Sequence, residues 1–177
     1  MTAQVHHRAL LHKGRVFDVT TENISLSNGT TVDMDIIRHP GAAAIVAVTD
    51  NRQVLMLRQY RHAIGKTMWE IPAGTREADE DPLVCAKREL TEETGYNARQ
   101  WDQLGAITPV PGYSDERIFL YLARDLTVST QNLDADEIIQ VQKVPFEEVI
   151  DLITKGQIED AKTIAAIFLA MQAFGRL

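Results

Sequence analysis

The chain has 177 residues, enough for one domain with a small appendage and enough to bury a core without disulfide or metal staples. Apolar residues make up 45% and charged residues 24%, and with ten glycines and six prolines this composition excludes disordered, collagen-like and linker-like chains. Eighteen basic against 25 acidic residues leave a net charge of −7, which argues against a nucleic-acid partner, and the single cysteine, Cys85, cannot close an internal disulfide, which fits a reducing compartment.

The amino terminus, MTAQVHHRALLHKGRV, holds no signal-peptide core, and the apolar runs at 42–48 and 164–171 fall far short of the ~20 residues that span a bilayer. A soluble cytoplasmic protein without a membrane partner is expected. Residues 23–26 alternate polar and apolar, Asn28-Gly29 follows, and 31–37 alternate again with Val32, Met34 and Ile36 on one side. That pattern predicts a hairpin closed by a type I′ turn, whose two central residues need positive φ. His39-Pro40-Gly41 then breaks the chain. The short apolar run at 42–48 predicts a strand buried on both faces, with 53–59 as its partner across a turn at Asp50-Asn51. Residues 69–72 predict a further short extended segment.

The period then changes to 3.6. Asp81 suits the N-cap, Pro82 the first helical position and Gly95 the C′ position, so a helix is expected over 82–94 with Leu83, Ala86 and Leu90 as its apolar face. Strands are expected near 101–108 and 117–123, joined by the Pro/Gly loop at 109–113. Asp134, Asp136 and Glu137 fall in a loop before a strand over 138–144, and helices over 146–155 and 160–173 close the chain. The early hairpin sets a segment 1–40 apart from a domain 41–177.

Chemistry concentrates on the first helix. Glu89, Glu92 and Glu93 stand at i, i+3 and i+4, which lines three carboxylates along one side. Their repulsion is destabilising unless a hard divalent cation such as Mg2+ or Mn2+ relieves it. By helical angle Glu89 and Glu93 flank the apolar face and are expected to be partly buried first ligands, with Glu92 further round. Arg88 can pair with a carboxylate in bidentate fashion. Gly74, at a strand end, leaves room for backbone and metal to approach. A solvated acidic face is the ordinary alternative for three such residues, but here a longer pattern matches.

Residues 74–96, GTREADEDPLVCAKRELTEETGY, resemble the signature of the Nudix family. Gly74, Glu80, Arg88, Glu89, Leu90, Glu92, Glu93 and Gly95 fill its places, with Tyr96 slightly atypical in the last apolar one. The resemblance implies an α/β/α sandwich around a mixed sheet, with a small N-terminal antiparallel sheet. It also implies hydrolysis of a nucleoside diphosphate linked to a second group, with Mg2+ or Mn2+ as cofactor. Carried over by position, the metal ligands are Glu89, Glu92 and Glu93 with the Ala73 carbonyl, while Glu80 and Arg88 support loop and helix geometry.

Pro111, 15 residues after Tyr96, resembles the ADP-ribose pyrophosphatase branch, as do RQYR (58–61), WEIPAG (69–74), PGYSDE (111–116) and IEDAKT (158–163). That branch implies substrate contacts from Arg61, Glu70, Pro111, Gly112 and Glu116, and a homodimer built by the N-terminal strands. It also implies catalytic roles for Glu92 and for a loop glutamate, Glu137, as metal partner or base, with Asp134 and Asp136 competing for the base role. Attack of water on phosphorus would split ADP-ribose into AMP and ribose 5-phosphate. GDP-mannose or a broad set of nucleoside diphosphate sugars is the rival substrate class, and a non-catalytic ADP-ribose sensor the rival outside enzymes. The five histidines show no zinc-ligand spacing with cysteines, and Cys85 is expected to be a packed thiol rather than a nucleophile.

Overall fold

A computed structural model describes residues 2–133, 135 and 137–174. The chain forms two compact units, one of Met1–Gly41 with Thr108–Arg117 and one of Ala42–Ile107 with Ile118–Leu177.

The smaller unit is a three-stranded antiparallel sheet in the order β1-β2-β3, from β1 (Ala3–Lys13), β2 (Asp18–Leu26) and β3 (Thr31–Arg38). The β2–β3 hairpin was legible in the sequence, whereas β1 was not. The strand AQVHHRALLHK is exposed along nearly its whole length and packs no core face, so it has no period to read. The turn also differs from the expected type I′. Only Gly29 takes positive φ, at 87°, while Asn28 accepts a hydrogen bond from the Thr30 amide at 3.0 Å, an Asx turn within a longer loop. Loop 108–117 joins this unit through the Ile37 amide donating to the Tyr113 carbonyl and the Asp115 amide donating to the Ile37 carbonyl. Arg38 donates to Asp115 at 2.8 Å and also to Glu22.

The larger unit holds β4 (Ala42–Ala47), β5 (Gln53–Arg61), β6 (Lys66–Glu70), β7 (Ala73–Thr75), α1 (Pro82–Thr94), β8 (Tyr96–Ile107), β9 (Ile118–Val128), β10 (Ile139–Pro145), α2 (Phe146–Thr154) and α3 (Ala161–Phe174). Its sheets run β10-β5-β6 and β7-β4-β9-β8, the latter mixed because β4 and β9 are parallel. Every residue of β4 is buried. Ala44 and Val46 lie in one core cluster with Ile167 of α3 and with Phe146 and Val149 of α2, while Ala43 and Ile45 lie in another with Cys85, Ala86 and Leu90 of α1. A strand covered by helices on both faces reads as a continuous apolar run, and the result is an α/β/α sandwich. The extended segment expected at 69–72 proves to be two short strands in different sheets, β6 ending at Glu70 and β7 beginning at Ala73. β8 starts at Tyr96 rather than near Trp101, its first turn out of the helix being polar and half-exposed. No helix among the described residues is long and apolar enough to cross a membrane.

Candidate active site

Helix α1 begins and ends where its caps dictate. Asp81 accepts from the Leu83 amide at 2.9 Å, Pro82 opens the first turn, and Gly95 closes the helix at φ 70°. This phase turns Glu89 and Glu93 inward, to 8% and 1% exposure, and leaves the Glu92 side chain 36% exposed. Strand β7 lies against them. The Ala73 amide donates to Glu93 at 2.8 Å, and a Cβ on Gly74 would sit 1.9 Å from the carboxyl carbon of Glu89. Only glycine at 74 leaves that carboxylate its place.

Burial pushes the Glu89 carboxyl up to about 7 against the pull of Arg88. Burial, and then the charge of Glu89, raise Glu93 well above the usual carboxylate range. Glu137 adds negative charge felt by both. Such a pair is unfavourable by itself, and its hard oxygen donors are those that Mg2+ or Mn2+ select, so the residues fit a divalent cation. Among the described residues no three His, Cys, Asp or Glu already enclose an ion site. Arg88 Nη1 instead bridges Glu89 and Glu92, at 2.6 and 3.0 Å.

Arg88 also ties the preceding loop to the helix. Its Nε and Nη2 donate to the two oxygens of Glu80, each at 3.0 Å, and Nη2 donates to the Thr75 carbonyl. The Arg88 guanidinium holds the Glu80 carboxyl down at about 2. Cys85 is buried beneath this clamp, and burial together with the charges of Glu80 and Glu89 pushes its thiol up to about 12, far from nucleophilic.

Arg61, at the end of β5, pairs side-on with Glu70 of β6: Nε and Nη2 each donate at 2.7 Å. Its cation is felt by Glu93. Burial would raise Glu70, but Arg61 and Lys162 outweigh it and hold the carboxyl below its ordinary value. Lys162 and Asp160, from the start of α3, were missed as site residues. They lie in the IEDAKT segment but 92 positions from Glu70 in the case of Lys162, and no local spacing links them. Two loop anchors were missed as well. Gln131 donates to the Glu93 carbonyl at 2.6 Å and the Asn132 amide donates to the Glu92 carbonyl at 2.9 Å, satisfying α1 carbonyls left without helical partners. These bonds lead the loop that carries Glu137. Asp134 and Asp136 lie outside the described residues.

Thus Arg61, Glu70, Ala73, Glu89, Glu92, Glu93 and Glu137 all belong to the larger unit, whereas Pro111, Gly112 and Glu116 belong to the smaller one. Pro111 and Gly112 are exposed, and the Glu116 carboxylate lies 3.9 Å from His39. The smaller unit has a cavity of about 380 Å³ lined by Lys13, Arg15, Arg38 and His39 among others. In the larger unit a cavity of about 300 Å³ is lined by Arg58 and Trp69, the guanidinium 4.8 Å from the ring centre. Neither is lined by the α1 carboxylates.

The NUDIX domain family matches residues 38–167. An ADP-ribose pyrophosphatase of Bacillus subtilis is 39% identical over 159 residues, covering 89% of this chain and 86% of that protein. A methanol dehydrogenase activator of Bacillus methanolicus is also 39% identical, over 165 residues, covering 92% and 89%. Among solved structures, one titled as an ADP compounds hydrolase superposes with a TM-score of 0.86 at 20% identity, covering 99% of this chain and 95% of that one. That likeness establishes the fold.

Proposed function

The chain belongs to the Nudix family, and from that premise we propose that it is a pyrophosphatase that hydrolyses the diphosphate bridge of ADP-ribose to AMP and ribose 5-phosphate. The observation that carries this reading is the buried pair of Glu89 and Glu93, the former seated in the gap that Gly74 leaves, with the Arg61 cation within electrostatic reach.

Glu89, Glu92, Glu93 and the Ala73 carbonyl would hold Mg2+ or Mn2+, which supplies positive charge against the diphosphate oxygens and makes a neighbouring water more acidic. Arg61 binds the diphosphate, since a guanidinium matches phosphate oxygens in charge and geometry. Glu137 orients the attacking water and accepts its proton. The water oxygen becomes bonded to one phosphorus as the bond from that phosphorus to the bridging oxygen breaks. Arg88 holds Glu89 and Glu92 in place for this work and keeps the loop through Glu80 attached. Pro111, Gly112 and Glu116 shape discrimination among nucleotide sugars.

A homodimer formed through the N-terminal strands is part of the same reading. Val5, Leu10 and Leu11 are exposed on β1, an edge strand with one neighbour, and an apolar edge of that kind gains from pairing with a second copy. The buried free thiol of Cys85 suits a cytoplasmic setting. A hydrolysis panel of ADP-ribose, GDP-mannose, UDP-glucose and dGTP with Mg2+ tests the substrate. The expected result is the highest kcat/KM on ADP-ribose, and preference for dGTP would overturn the assignment.

A further inference from the structure

Glu70 is a buried carboxylate shared by two cations. Its side chain is 2% exposed, and Arg61 takes both of its oxygens. A guanidinium matched that fully by one carboxylate has its charge largely cancelled and is a poor partner for a diphosphate. Lys162 changes that balance. Its side chain is 13% exposed and its Nζ donates to Glu70 Oε2, the oxygen that also receives Arg61 Nη2. Because Lys162 takes part of the Glu70 charge, the Arg61 guanidinium, with a 40% exposed side chain, is less completely neutralised by that carboxylate than it would be in an isolated pair.

Lys162 is itself held in place. Its Nζ donates to Asp160 at 3.0 Å. Asp160 also accepts from the Thr163 amide at 3.0 Å and from the Thr163 hydroxyl, so its charge is spread over the first turn of α3. The Thr163 hydroxyl in turn accepts from the Ile71 amide at 3.0 Å, the residue after Glu70. The start of α3 is thereby bonded to the end of β6, and the Lys162 ammonium has one seat.

We propose that Lys162 is a positioning residue for the diphosphate: by sharing Glu70 with Arg61 it fixes the guanidinium and leaves its charge available to the substrate. This rests on the diphosphate hydrolysis proposed above. Lys162 does not touch the substrate. It acts through Glu70 and Arg61, so its removal weakens binding rather than the chemical step. It has no use for a substrate without a diphosphate.

The test combines steady-state kinetics on ADP-ribose with calorimetric titration of α,β-methylene ADP-ribose, which binds without turnover, both with Mg2+. Lys162→Met should raise KM and the analogue's Kd by roughly 10-fold with kcat within about threefold, the pattern of lost ground-state binding. Lys162→Arg should restore both to within about threefold, because the charge and the donor to Glu70 return. Arg61→Ala combined with Lys162→Met should be no weaker than Arg61→Ala alone, since both act through one group. Unchanged Kd in Lys162→Met, or additive losses in the double variant, would overturn the proposal. Should Lys162→Met fail to fold, Glu70→Gln with Lys162→Met removes the buried charge together with its partner. With the carboxylate gone the Arg61 charge is no longer cancelled, so that variant should bind the analogue far more tightly than Arg61→Ala, and affinity as weak as Arg61→Ala is again contrary. A wild-type chain that binds the analogue but hydrolyses nothing overturns the enzymatic reading alone, and one that does neither overturns both.

Discussion

Glu89 shows how one residue's surroundings set the behaviour of the apo protein. Its carboxyl is pushed up to about 7 by burial, so between its ordinary value and about 7 the folded chain binds more protons than the unfolded one. The sign follows: stability contributed by the protonated form is present at low pH and is lost as pH rises through that window. Each unit of such a shift is worth about 1.4 kcal/mol. Without metal, the melting temperature should therefore fall by several degrees between pH 5 and pH 7.5, at roughly 2–4 °C per kcal/mol for a chain of this size. Millimolar Mg2+ should recover most of the loss at pH 7.5, and Glu89→Gln should flatten the fall. A melting temperature that is level in pH and indifferent to Mg2+ is the contrary outcome. The burial of Glu89 and Glu93 was legible from the helical angle alone, because both flank the Leu90 face. The Arg61–Glu70–Lys162 cluster was not, because it joins three elements that sequence spacing cannot bring together.

At the scale of elements, α1 is the best-read part of the chain. Asp81, Pro82 and Gly95 mark its ends without help from tertiary contacts, and the observed helix runs between them. Asp81→Ala removes an acceptor from the Leu83 and Val84 amides and should cost about 1 kcal/mol. A thermal melt reads this as a drop of roughly 2–4 °C. No change would mean that packing against β4, rather than the cap, fixes the helix start. Strand β4 was legible as an element, its unbroken apolar run requiring cover on both faces, but the partner expected for it, 53–59, forms β5 in the other sheet, and β4 pairs with β7 and β9 instead. The opposite case is β1, where side chains of mixed polarity meet solvent on both sides and the strand is held by backbone pairing with β2 and by the Arg8–Glu22 and His6–Ser25 side-chain bonds. The hairpin was found by its Asn-Gly pair, yet the turn geometry was not, since the Asn28 side chain offers the Thr30 amide a local bond that competes with the tighter type I′ form. Between β6 and β7 a change of sheet hides within four residues, Glu70 to Ala73.

For the whole molecule, assembly and activity are the two expectations. Leu11→Asp places a charge on the exposed apolar part of β1 and should convert the proposed homodimer to a monomer in light scattering at micromolar concentration. A wild-type chain that is already monomeric there would remove the N-terminal strands from the assembly argument. Diphosphate hydrolysis by the carboxylates of α1 is the proposed activity. Its most direct test is phosphorus NMR of ADP-ribose incubated with the wild-type protein and with Glu93→Gln. With Mg2+ and wild type, the two diphosphate resonances should give way to the monophosphate resonances of AMP and ribose 5-phosphate. Glu93→Gln should slow that conversion by roughly 100-fold or more while remaining folded, as expected for a carboxylate serving the reacting centre. Release of orthophosphate in place of the two monophosphates, or an undiminished rate in Glu93→Gln, would contradict it.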